Sequence, residues 1–161
     1  MQNNLNLLAR KIIAKNQYIS IATADKSGVP WISPVVYTID NNWNMYFVSM
    51  PNSKHCLNIS KNKNIACAIF DSHQKWGQGV GLQIEAESEV LGVKDSLKIA
   101  KNYALRKYQY GVVNTKVATD FIKSMVFKNR KYKIYKITPK AIWMNDPNAK
   151  VDIRVKIDLN K

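Results

Sequence analysis

Histidine and cysteine are nearly missing from this sequence, and with them most of the chemistry that side chains perform unaided. Two histidines (His55, His73) and two cysteines (Cys56, Cys67) are too few, and wrongly spaced, for a structural zinc site or a disulfide framework. No metal site is expected, and the expected compartment is a reducing cytoplasm. There is no HExxH pair, no Gly-x-Ser-x-Gly elbow, no Walker A loop and no Gly-x-Gly-x-x-Gly opening a helix. No apolar run approaches the ~20 residues of a membrane span, and the polar stretch Gln2 to Asn6 carries no leader signal. Arginine is scarce too: Arg10, Arg106, Arg130 and Arg154 stand against 21 lysines in a chain of net charge +14. Guanidinium forks are what read bases and phosphates bidentately. The scattered lysines therefore read as a solvated surface, and nucleic-acid binding is not expected.

What is present begins with Trp31 to Ile59, around which the chain is organised. Val35, Val36 and Tyr37 suit a pleated strand over 31–39. Asp40, Asn41 and Asn42 tolerate turn geometry. Met45 to Met50 is apolar except for Ser49, as a strand buried on both faces would be. Pro51 and Asn52 then stop the strand, and Ser53 stands as N-cap of a short helix reaching about Lys61. Lys54 and His55 follow in the first helical turn, where cations oppose the helix dipole. A hydroxyl, two basic side chains and free N–H groups suit an anion, phosphate above all. A solvated turn in a lysine-rich chain is the competing reading.

The remaining segments fit around this one. Leu5, Leu8 and Ile12 predict an amphipathic helix within residues 1–15. Tyr18 to Ala24 predicts a strand, joined through the Asp25-Lys26-Ser27-Gly28 turn to one beginning near Val29. Asn64 to Phe70 predicts a further buried strand. Asp71 to Gly79 is a polar loop carrying Trp76, either a cover for the core or a plane for a flat ligand. From Val80 to Val90, apolar residues alternate with Gly81, Gln83, Glu85, Glu87 and Glu89, so all three glutamates share one strand face. They read as a structural row, with Lys131 and Lys133 as candidate cross-strand partners. Helices are predicted over 95–108 and, capped by Thr115, along the Val117, Phe121, Met125 stripe. Strands follow over 132–137 and 141–144 with a break at Pro139, and a half-buried strand over 151–157. The elements predict an α+β fold built on a barrel within a single domain, 1–161. With little chemistry of its own, such a chain suits an enzyme whose cofactor carries the reaction.

The run YISIATADKSGVPWISPVVYTIDNNWNMYFVSMPNSKHCLNISKNKNIACAIFD, followed by GVGLQIEAESEV, resembles the flavin-binding split-barrel proteins of the pyridoxamine 5′-phosphate oxidase superfamily. The match spans about residues 17–92 and persists in YKIYKITPKAIWMND. The resemblance implies a six-stranded Greek-key split β-barrel with flanking helices, a homodimer, and two FMN sites at the dimer interface. Carried over by position, Trp31, Ile32, Ser33, Pro34 and Val35 would line the isoalloxazine, with Val48 and Ser49 at the ribityl and phosphate end. Ser53, Lys54 and His55 match a Ser-basic-basic phosphate motif, and Gly81 and Gln83 would approach the flavin from a later strand. The chain has His55 where the family often has lysine. It also has Trp143 to Pro147 where the oxidase proper has an Arg-Leu-His-Asp-like stretch for its substrate. The resemblance thus implies an FMN-dependent oxidoreductase acting on a small molecule, with NAD(P)H as an electron donor to be considered and no catalytic residue named. A non-catalytic flavin-binding protein, a deazaflavin cofactor and a basic nucleic-acid-binding barrel are the rival readings. The last lacks an aromatic-studded basic strand.

Overall fold

Leu5, Ala9, Ile12 and Ile13 recur at helical spacing, and they are the apolar residues that helix α1 (Gln2–Lys15) buries in a computed structural model of the chain. The structure describes residues 2–77, 79–105, 120, 131–149 and 151–161. The stripe predicted around Val117 lies outside the described residues, as do residues 106–108 of the predicted 95–108 helix. Among the described residues, seven strands and two further helices are assigned after α1: β1 (Tyr18–Ala24), β2 (Pro30–Ile39), β3 (Met45–Ser49), α2 (Lys54–Ile59), β4 (Asn64–Phe70), β5 (Gly81–Val90), α3 (Val93–Leu105), β6 (Lys133–Asn145) and β7 (Arg154–Lys156).

All pairings are antiparallel, in the order β3-β2-β1-β4-β5-β6-β7. β3 also pairs with β6, from Met45 opposite Ile137 to Ser49 opposite Lys133. That pairing closes β1–β6 into a six-stranded barrel, and β7 lies outside it against the end of β6. The meander β1-β2-β3 followed by β4 returning beside β1 is a Greek key. The barrel is filled by inward residues of each of its strands: Ile19 and Ile21, Tyr37, Met45 and Phe47, Cys67 and Ile69, Leu82 and Ile84, Ile137, Ile142 and Met144. The α1 stripe joins the same cluster. The hydroxyl of fully buried Tyr37 donates to the carbonyl of Ile13 at 2.5 Å, giving a partner to an acceptor near the helix C-terminus.

β3 is covered on both sides, as expected: Tyr46 and Val48 meet Ile99, Ala100 and Ile134 under α3, while Met45 and Phe47 point inward. Several other expectations are corrected. β4, expected to be equally buried, exposes Asn64, Ala66 and Phe70 on the outer side of the barrel. Pro139 breaks nothing. β6 runs through it, because a bulge sets Glu85 opposite Ala141 and Ala86 opposite Pro139, and the ladder with β3 reaches only Ile137 on that side. The final strand shrinks to Arg154–Lys156, with Val151 and Ile153 exposed. Trp76 is fully exposed and covers no core of this chain; Gln74 instead fastens the loop through hydrogen bonds with Asp71 and Val80. Glu87 pairs with Lys63 at 3.2 Å and Lys140 at 2.5 Å, not with Lys131 or Lys133. The register places Lys133 opposite Ser49, at the far end of β6.

Two local features cost stability. Asn6 is fully buried; its Oδ1 accepts from Gln2 Nε2 and from the Asp158 amide, both at 3.1 Å, but its Nδ2 has no partner. An unsatisfied buried donor costs about 1–3 kcal/mol. Trp43 adopts φ +62°, in a turn position usually held by glycine. For a bulky residue that conformation costs about 1 kcal/mol or more.

The β2–β3 turn is organised by Asp40. Its carboxylate accepts hydrogen bonds from the amides of Asn42 and Asn44, from Asn44 Nδ2 and from Tyr46 Oη, at 2.7–2.9 Å. Partial burial pushes the Asp40 carboxyl up, but the hydrogen bonds from Asn44, Tyr46 and Asn42 outweigh it and hold it below the ordinary value. The stabilisation is therefore complete above the unfolded value of about 3.9 and is lost as pH falls through the lower folded value. Asp40→Asn is expected to cost about 1 kcal/mol at neutral pH, the low end for bonds to a partly solvated charge. It should also flatten the acid limb of the stability curve below about pH 4. Urea midpoints of both proteins at neutral and acid pH check this, and parallel losses on acidification would show that Asp40 is not the titrating group.

Candidate functional site

β3 ends at Ser49, and the chain must next cross the end of the barrel to reach β4 beside β1. α2 makes that crossing and anchors it with Cys56, Asn58 and Ile59, all buried. Asn58 Nδ2 donates to Thr23 Oγ1 at 3.1 Å inside the barrel end. The first turn of α2 is consequently held against the start of β2 and the end of β3. There, residues far apart in sequence converge. His55 Nδ1 shares a hydrogen bond with Ser33 Oγ at 3.2 Å, and its Nε2 meets Ser49 Oγ at 2.8 Å and Ser53 Oγ at 3.2 Å. Ser49 and Ser53 hydroxyls lie 3.2 Å apart. Trp31 Nε1 donates to Ser33 Oγ at 3.0 Å, and the Lys54 ammonium lies 4.4 Å from the Trp31 ring centroid.

Ser53 occupies the N-cap position with extended backbone but makes no side-chain cap. Its hydroxyl is turned toward Ser49 and His55 instead. Three rotatable hydroxyls, an imidazole and an ammonium make a donor-rich cluster that can reorient toward an anion. The neighbouring carboxylate is Asp25 in the β1–β2 turn. Hydrogen bonds from Ser27 and Val29 hold its carboxyl low, with a smaller contribution from the Lys54 charge.

Two groups of this cluster escaped the sequence reading. Cys56 is buried; burial pushes its thiol up, but hydrogen bonds with His55, Ser53, Tyr135 and Ser49 outweigh that and bring it below the ordinary value. Burial, with Cys56 beside it, pushes the Tyr135 phenol up. Tyr135 stacks on Phe47 at 5.1 Å, and Phe47 in turn lies 5.9 Å from the His55 ring. Cys56 was visible as the next residue of the Ser-Lys-His run. Tyr135, on β6, gave no local signal. Cys67, by contrast, is a core thiol pushed up to about 12 by burial. Among the described residues no group of three or more His, Cys, Asp or Glu side chains could hold a metal ion.

Trp31, Ser33, Ser49, Ser53, Lys54 and His55 are thus brought together. Val35 packs against the core, and Val48 faces the α3 cluster on the other side of β3. Ile32 and Pro34 point outward. Ile32 and Gln83 line one shallow groove of about 280 Å³, floored by Ala22, Ala66 and Ala68 and walled by Trp143. Trp143 is fixed there by its Nε1 donating to Glu85 at 2.9 Å. Gly81 sits at the start of β5, where a Cβ would come within 3.1 Å of the Phe70 side chain.

Comparison with known proteins bears on this arrangement. No curated protein matches the sequence. Among solved structures, the chain is similar to the Agrobacterium tumefaciens protein Atu2129, of unknown function, at TM-score 0.70 and 12% identity, covering 94% of this chain but 59% of that one. It is similar to HutZ, the haem storage protein of Vibrio cholerae, at TM-score 0.63 and 12% identity, over 87% and 92% of the two chains. It is also similar to an FAD-binding protein of Mesorhizobium loti, at TM-score 0.62 and 14% identity, over 86% and 91%. At such identities these likenesses speak for the fold alone. The family model described as pyridoxamine 5′-phosphate oxidase matches residues 8–145, from within α1 to the end of β6. With that match over most of its length, the chain belongs to the pyridoxamine 5′-phosphate oxidase family.

Proposed function

We propose that the chain is a homodimeric FMN-binding oxidoreductase acting on a small molecule. The observation that carries the reading is the convergence of Ser49, Ser53, Lys54 and His55 beside the exposed start of β2. The donor set fits a phosphate, since hydroxyls and an ammonium can satisfy its oxygens without a metal. Ser49, Ser53 and Lys54 would hold the FMN phosphate, and the Trp31–Val35 edge would receive the ring. The flavin would supply the hydride or electron chemistry that the side chains lack. His55 would act as a positioning residue, fixing the serine hydroxyls through its two ring nitrogens. That engagement also leaves it poorly placed as a haem ligand, the chemistry that the Vibrio cholerae relative's name suggests.

Lys54→Ala is expected to weaken FMN binding about ten- to a hundredfold, since one charge-assisted hydrogen bond contributes about 1.5–3 kcal/mol. Riboflavin, which lacks the phosphate, should bind both proteins alike. The fold should survive, because a first-turn cation does not favour the helix. Mass spectrometry of the cofactor released from purified protein, then fluorescence titration with both flavins, tests this. Release of FAD, a deazaflavin or haem, or equal losses for FMN and riboflavin, would overturn the assignment. Reduction of the bound flavin by NAD(P)H with turnover of an acceptor would separate an enzyme from a non-catalytic carrier.

The dimer rests on a separate observation. The outer face of β1, β2 and β4 carries an apolar patch: Tyr18, Ile32 and Phe70 are each more than half exposed, around the small side chains of Ala22, Ala66 and Ala68. A contiguous face of this kind marks an association surface, and a two-fold copy covers it with itself. Light scattering should give twice the chain mass, and Ala68→Arg, which sets a charge in the middle of the face, should give the chain mass while remaining folded. A wild-type protein that is monomeric with flavin bound would refute this arrangement.

A further inference from the structure

At the opposite end of the β2–β3 hairpin from the serines, the barrel leaves a cavity of about 530 Å³ between the first turns of α1, the Pro139 bulge and the segment after β7. This is within the usual size range of small-molecule pockets, ~300–1,000 Å³. Three features meet in its wall. Asn6 is fully buried with an unpartnered Nδ2 donor, while its Oδ1 is satisfied twice. Trp43 holds φ +62° at a glycine-type turn position, and its partly buried indole lines the cavity with Pro139. Lys156 is exposed at the rim; its ammonium lies 5.8 Å from the Trp143 ring centroid and has no carboxylate partner among the described residues. The carboxylate lining the cavity, Asp158, is answered by Lys161 at 3.7 Å.

Each feature asks something of an occupant. The orphan amide needs a hydrogen-bond acceptor. The indole and the proline ring offer flat apolar surface. The Lys156 ammonium, which lies over the Trp143 ring but meets no carboxylate among the described residues, favours negative charge. An ordered water would satisfy Asn6 but would leave unexplained a tryptophan where glycine is unstrained. We propose that this cavity binds a small aromatic carboxylate, its ring against Trp43 and Pro139 and a carboxylate oxygen accepting from Asn6 Nδ2, with Lys156 supplying the countercharge. Gln2, exposed and bonded to both Asn6 and the Lys156 carbonyl, is the side chain that moves aside. The site is independent of any cofactor at the serine end.

Benzoate titrated into the chain of residues 1–161, followed by backbone amide shifts, tests the proposal. Saturable shifts are expected at residues 2–6, 42–44, 139–142 and 156–158, and none at 31–35 or 49–55. Benzamide, with the same ring but no charge, should bind about tenfold more weakly, as should benzoate to Lys156→Gln. Trp43→Gly, which removes the indole and relaxes the turn, should weaken both ligands about tenfold or more. Asn6→Leu should do the same; if it does not fold, the exposed Lys156 and the turn variant decide the matter. Absence of saturation up to the solubility limit, shifts confined to the serine end, or wild-type affinity in Trp43→Gly would overturn it.

Discussion

The pairing of β3 with β6 is the constraint on which the rest depends. Without it, the two meanders would be an open sheet with two unpaired edges, which isolated proteins must cover or charge. With it, the five pairs from Met45–Ile137 to Ser49–Lys133 give the inward residues of every strand something to face. Closure also fixes the rim: Ser49 is the last paired residue of β3. The next strand belongs beside β1, so the chain is forced across the barrel mouth. α2, six residues long, makes the crossing, and its first turn lands between Ser33 and Ser49. The convergence of hydroxyls on His55 is therefore a product of topology more than of local sequence.

That origin explains the character of the cluster. At the barrel mouth the side chains satisfy one another: the three serine hydroxyls all bond to His55. Serine hydroxyls can donate or accept, and a histidine between them can do either through each nitrogen. Such a set can change partners without any strand moving. Asp40 at the other end of the same hairpin shows the contrast. Its carboxylate only accepts, and two amides, a side-chain amide and a phenol hold it in one arrangement. One end of the hairpin is adaptable and the other fixed.

Legibility in the sequence followed the same division between local and tertiary causes. The alternation over 81–90 could be read because β5 has one wet face, with Leu82, Ile84 and Ala86 inside and Gln83 and Glu85 outside. The turn at Asp25 to Gly28 could be read because Gly28 needs φ +83°. β4 could not be told from a doubly buried strand, since Ala66, Ala68 and Phe70 look alike whether they meet solvent or core. The partners of Glu87 depended on register, which nothing near Glu87 specifies. Ser53, Lys54 and His55 were legible as a cluster of donors, but the link from His55 to Ser33, 22 residues earlier, was not. The strain at Trp43 was equally hidden, because only the closed turn reveals that its φ is positive.

The two ends of the hairpin raise the question of whether events at one are felt at the other. They are separated along β3 by about four residues, some 13 Å at strand rise. Between them lie Tyr37, Met45 and Phe47, all fully buried. A close-packed interior transmits strain, but it couples distant sites only where an element has two discrete arrangements to choose between. β3 is paired on both sides, with β2 and with β6, and Phe47 is stacked on Tyr135, so a slip of the strand would break both ladders together. The adaptable elements, the hydroxyls around His55 and the Gln2 amide, lie outside these ladders. Perturbations separated by more than about 7–10 Å with no shared partner add independently. The hairpin is therefore best regarded as a rigid spacer that holds two chemically different ends apart and carries little free energy between them.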